Sequence, residues 1–183
     1  HTRSYSVLEF RRVLFRSTVA TSGASLTVSE TLADEGAGAS ITLALANSRG
    51  WKDVFKNCVI EIYSGAQPAD ADQAETGTKL LRITASGGAF TPGQATNGLN
   101  WENPSGGAIT KETSETWVGT GLADGTAGWF RCYANRYQTG ANSSAVRFDG
   151  SVGVTGAQLN LSTTAIKSGQ NTTIDTFQIT VPA

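Results

Sequence analysis

The side chains able to do chemistry in this sequence are few, and what is missing narrows the field first. The only histidine of the 183 residues is His1, so the body of the chain offers no imidazole for general-base catalysis or metal ligation. Ser-His-Asp and Cys-His mechanisms go with it. No G-x-S-x-G, P-loop or G-x-G-x-x-G pattern occurs. Carboxylates remain: a pair for glycoside hydrolysis would have to come from Glu61, Glu102, Glu112 and Glu115, and nothing in their spacing singles out two. Asp70, Asp72 and Glu75 in PADADQAE have the spacing of a partial calcium loop, because alternate carboxylates on a turn can converge oxygens on a hard cation. No glycine follows at the sixth position and no bidentate Glu closes the loop, so a solvated turn is the better reading. No catalytic, cofactor-binding or metal site is assigned, and no cofactor is expected.

Cys58 and Cys132 make no zinc pattern, being two cysteines without histidine. Cys58 shares a strand face with Ile60 and Ile62, and Cys132 shares one with Phe130 and Ala134, so both are expected to be core thiols. A disulfide would require their Cα atoms within about 7 Å. Trp101, Trp117 and Trp129 with Tyr133 and Tyr137 could form a sugar-stacking platform, with Trp101 and Tyr137 its exposed faces. Against it stands the habit of large aromatics in alternating strands to pack on sheets. Arg131, Arg136 and Arg147 read as surface ion-pair partners rather than a nucleic-acid stripe. The glycosylation triplets at Asn142, Asn160 and Asn171 read as ordinary polar surface.

These residues must be positioned by β-structure. In CVIEIY the period is two: Cys58, Ile60 and Ile62 form the core face, while Val59, Glu61 and Tyr63 form the other, wet face. Further strands are expected at 79–86, 99–101, 108–110, 115–120, 128–135, 145–150, within 151–162, and at 173–181. In the last, Phe177, Ile179 and Val181 alternate with Thr176, Gln178 and Thr180 before Pro182. Residues 64–78 form a long polar connection. WKDVF places Trp51, Val54 and Phe55 on one helical stripe of a single turn. Short strands punctuated by GG, PG, DG and SG pairs predict an all-β fold, an antiparallel β-sandwich of jelly-roll kind with a short helical turn near its start, over residues 51–183.

With 39% hydrophobic and 16% charged residues and a net charge of −1, the chain suits one domain or one domain plus an arm. No apolar run approaches the roughly 20 residues of a spanning helix, and near-neutral charge gives no broad footprint for nucleic acid. Residues 18–50 are small and polar and read as a flexible or docking arm, whose alternating Ile41, Leu43 and Leu45 could add one strand to an exposed edge. The composition breaks before them. LEFRRVLFRS, ending the first 17 residues, resembles a sequencing-library adapter read in one frame, so 1–17 is expected to be a non-native leader. Without its four Arg and one Glu, 10 basic residues face 14 acidic ones, a net charge of −4.

The stretches VFKNCVIEIYSGAQPADADQAETGTKLLRI and GTAGWFRCYA resemble a family of small structural proteins of tailed bacteriophages, through the IYSG strand end, the QPADAD turn and the AGWFR strand. The resemblance implies a non-enzymatic virion component, a head-decoration, neck or tail protein. It would be assembled in the bacterial cytoplasm and partnered by other virion proteins and by itself, with no nucleic acid, membrane or small-molecule ligand. The alternative is a secreted glycan-binding β-sandwich module.

Overall fold

The computed structural model describes the backbone of residues 26–29 and 40–43 and the whole of residues 50–180; the leader read in 1–17, Leu45, Val181 and Pro182 lie outside the described residues. The chain divides into two units, His1–Gly50 and Trp51–Ala183. In the first, β1 (Leu26–Ser29) pairs antiparallel with β2 (Ser40–Leu43), placing Leu26 opposite Leu43 and Val28 opposite Ile41. The strand carrying Ile41 and Leu43, expected to extend a partner's edge, is paired within its own unit.

The second unit opens with the expected helical turn, α1 (Trp51–Val54), followed by ten strands. These are β3 (Val59–Ser64), β4 (Lys79–Ala85), β5 (Ala108–Thr110), β6 (Trp117–Thr120), β7 (Gly125–Tyr133), β8 (Arg147–Gly153), β9 (Leu159–Asn160), β10 (Ala165–Ile166), β11 (Asn171–Ile174) and β12 (Gln178–Thr180). Eight of them form one curled sheet in the order β11-β6-β4-β3-β7-β8-β9, with β10 pairing β7. The sheet is mixed, because β9 runs parallel to β8. β12 and β5 form a second, two-stranded sheet. The all-β class is as expected.

One face of the large sheet carries the apolar core. Period-two alternation puts Ile60, Ile62, Ile83, Phe130, Cys132 and Val152 on that face, all buried. The small sheet contributes Ile109, and Phe177 reaches Phe130 edge-on with ring centroids 5.4 Å apart. Trp101, Trp117 and Phe177 close the end of this core as a set of tilted and edge-to-face rings, the arrangement their quadrupoles favour.

Three strand expectations change. The strands expected at 145–150 and within 151–162 divide differently, since β8 runs unbroken from Arg147 to Gly153 and β9 follows at Leu159–Asn160. The run 173–181 is not one strand: it breaks after Ile174, and its halves pair with β6 and with β5 respectively. Burying both Ile174 and Phe177 requires a three-residue step that a period of two cannot provide. Residues 99–101 make only isolated bridges, Leu99 to Cys58 and Trp101 to Lys111.

The connection after β3 is folded back tightly. Gly77 has φ of 76°, and a Cβ there would lie 1.9 Å from the Ser64 carbonyl oxygen, so only glycine allows this return. That turn closes the segment which covers the sheet's other face.

Candidate functional site

Strand register decides which charged groups meet on that second face. Glu61 of β3 stands opposite Arg82 of β4 on one side and Arg131 of β7 on the other, and Arg131 stands opposite Asp149 of β8. A row of alternating charge, Arg82, Glu61, Arg131, Asp149, therefore crosses four adjacent strands, as favourable cross-strand pairing demands. In the neighbouring rows Tyr63 pairs with Trp129, and Tyr133 with Arg147.

This face was expected to be wet and is not. Val59, Glu61, Tyr63, Trp129, Arg131, Tyr133 and Arg147 are all buried, with Glu61 and Arg131 at 0% exposure. The 64–78 connection and the β7–β8 loop cover them; the pairs of Arg131 and Arg147 form within the fold, while Lys79 and Arg82, with side chains 36% and 33% exposed, reach buried Glu61 from its rim. Arg131 donates through Nε and Nη2 to the two oxygens of Asp149, both at 2.6 Å, and through Nη1 to Glu75 at 3.0 Å and the Gln73 carbonyl at 2.8 Å. Arg147 donates to the carbonyls of Ala71, Gln73, Gln138 and Gly140. Each planar fork thus holds the backbone of a covering loop. Arg136 is exposed.

Glu61 accepts from Lys79 at 3.1 Å, Arg82 at 2.8 Å and the Tyr137 hydroxyl at 2.9 Å through Oε1, and from Tyr63 at 2.6 Å through Oε2. A carboxylate buried this deeply requires such partners. The hydroxyls of Tyr63 and Tyr133 lie 3.0 Å apart, while Tyr133 donates to Glu75 at 2.7 Å. Two phenolic protons thus serve a chain of three contacts, and both are used on carboxylates.

Burial, reinforced by Glu61, pushes Tyr63 well up and Tyr137 up, and burial with the neighbouring carboxylates pushes Tyr133 well up. None is a phenolate. At Glu75 burial works upward, but donors from Tyr133, the Gly140 amide and Arg131 outweigh it and bring the carboxyl down to about 2. Tyr137 sits at φ of 47°, a left-handed conformation costly for a bulky residue. Its hydroxyl, bound to Glu61 and to Arg82 at 2.6 Å, holds it there.

The sequence-derived candidates fall in several places. Asp70 caps its own turn through the amides of Asp72 and Gln73, as a solvated turn would, and Asp72 is exposed. Glu75 leaves that turn and enters the network, which corrects its reading as part of a solvated loop. Among the described residues no group of three or more His, Cys, Asp or Glu could hold a metal ion. Glu102 binds the amide and hydroxyl of Thr113, and Glu115 binds Asn100 and the Trp117 indole. Both carboxylates brace loops.

Trp101, Trp117 and Trp129 are all at 0% exposure, so no stacking face is open on any of them. Tyr137 is half-buried against Phe90 and Tyr133. A cleft of about 360 Å³ lies between residues 110–113 and 175–178, but Lys111, its only cation, is turned onto the carbonyls of Glu112 and Glu115. Asn142, Asn160 and Asn171 accept bonds from neighbouring turns and strands.

The network itself left a signal in the sequence: Glu61 inside VIEIY and Arg131 inside GWFRCY are charges in strands apolar enough to be buried on both faces. No helix among the described residues is long and apolar enough to cross a membrane. In comparisons with known proteins, no family model matches the chain and no curated protein or solved structure matches it significantly.

Proposed function

We propose that this chain is a non-enzymatic structural protein that works by docking to other proteins and to copies of itself, as a head-decoration, neck or tail component of a tailed-phage virion. The observation that supports it best is the use made of the buried charges. Arg131, Arg147 and Glu75 bind the backbone of the two covering loops, which fixes loop shape and leaves the paired groups no free valence for substrate. A surface held in one conformation before contact loses little entropy on docking. The short outer strands β9 and β11 supply edges on which a neighbour can pair. The virion assignment itself rests on the resemblance of the IYSG, QPADAD and AGWFR stretches.

Against the glycan-binding alternative, Trp101 is fully buried and Tyr137 half-buried, which supports docking over sugar stacking. Light scattering of the full chain across a wide concentration range, alone and mixed with purified capsid and tail preparations of tailed phages, tests the proposal. Self-association or particle binding is the expected result. A chain that stays monomeric and binds no virion protein would overturn it.

A further inference from the structure

Cys58 and Cys132 are both at 0% exposure and both free, and the strand register places them as diagonal neighbours on one sheet face. Ile60 stands opposite Cys132 in the β3–β7 ladder, so Cys58 lies one diagonal step away on the same sheet face. Cys58 and Leu99 exchange both backbone hydrogen bonds. The peptide groups of Cys58, and by the pleat those of Ile60, therefore point away from β7. The Ile60–Cys132 pair is of the narrow, non-hydrogen-bonded kind, which draws side chains of neighbouring strands closest. Burial, with the neighbouring Cys58 adding to it, holds the Cys132 thiol well above the ordinary thiol range.

We propose that Cys58 and Cys132 form a disulfide-competent pair, a site of oxidative modification that fastens β3 to β7 across the centre of the large sheet. The reaction is exchange with a small disulfide oxidant. One cysteine thiolate attacks a sulfur of the oxidant and releases one thiol; the second cysteine then attacks the mixed disulfide and releases the other. One S–S bond is lost and one is formed, and the two protons pass to the released thiolates. A diagonal pair spans roughly 7–8 Å between Cα atoms, slightly beyond the usual disulfide range, so closure requires a small shift. Cys58 is placed to make it. The β3–β7 ladder ends at Val59, so the shift disturbs no bond to β7 and only the bridge of Cys58 to Leu99 has to give, and Asn57 before it is a left-handed residue at φ of 55°. Phe55 and Phe148, meeting edge-on at 5.0 Å, close this end of the core, so oxidation waits on opening of the α1 turn.

The experiment incubates the full chain with oxidised glutathione, natively and in denaturant just below the unfolding transition, followed by peptide mapping and thermal melts with and without reductant. The expected product is a cross-link between the peptides of Cys58 and Cys132, formed faster in denaturant. Closing a loop of this length raises the melting temperature by roughly 10 °C, a gain abolished by reductant and absent from Cys58→Ala and Cys132→Ala. If either variant fails to fold, the comparison with and without reductant decides alone. Glutathione adducts on both cysteines with no cross-link, or a cross-link that lowers the melting temperature, would overturn the proposal. Neither result bears on particle docking.

Discussion

Replacing Arg131 by methionine is the sharpest perturbation of the charge row, because it keeps most of the aliphatic stem of the side chain and removes the guanidinium with its charge and donors. The Asp149 carboxylate, 3% exposed, loses both bonds of a bidentate pair, and Glu75 and the Gln73 carbonyl each lose one donor. Removing one partner of a buried pair costs about 3–5 kcal/mol, against a total stability of roughly 5–15 kcal/mol for a typical domain. For a unit of this size that is a fall in melting temperature of roughly 10–15 °C. Urea unfolding of wild type and Arg131→Met, followed by tryptophan fluorescence, gives the difference directly. The double variant Arg131→Met/Asp149→Leu removes the orphaned charge and is expected to recover most of the loss, so the two changes are strongly non-additive. The deficit should persist at high salt, where exposed pairs are screened but buried ones much less so. A loss below about 1 kcal/mol, or one that vanishes in salt, would match an exposed pair and refute the reading of this face as a sealed polar core.

Two other outcomes follow from the same geometry. Glu75 is ordinarily near 4.5 and is brought down to about 2, so its contribution is present above the unfolded value and is lost as pH falls from about 4.5 toward 2; Glu75→Gln should be less stable at neutral pH and show a shallower acid decline in urea midpoint, and an unchanged decline would count against the assignment. Trp101, Trp117 and Trp129 are at 0% exposure while Trp51 is at 36%, so acrylamide should quench mainly Trp51, and quenching of equal depth in Trp51→Phe would show that the aromatic core is open.

The sequence alone determined the β class, the helical turn at Trp51, the inward placement of Cys58, Ile60 and Ile62, and the absence of histidine chemistry from the body of the chain. Each of these depends on residue type or on local period, and neither requires knowledge of what lies across the sheet. The alternation around Phe177 was also legible locally. That its strand would break after Ile174 was not, since the break is set by β5 and β6, two partners distant in sequence.

The buried charge row was decided by tertiary structure. Period two correctly assigned Glu61 and Tyr63 to a common face, but local spacing is silent on whether a face meets water or a covering loop. Here the loop supplies Glu75 and the Ala71 and Gln73 carbonyls, and these turn two arginines that looked like surface residues into internal ones. Trp101 followed the same logic in the apolar core, where contacts with Trp117 and Phe177 bury a ring that the sequence alone offers as an exposed stacking face. A charge is tolerated inside only where its partners have been brought to it, and that pairing is a property of register and topology rather than of any one segment.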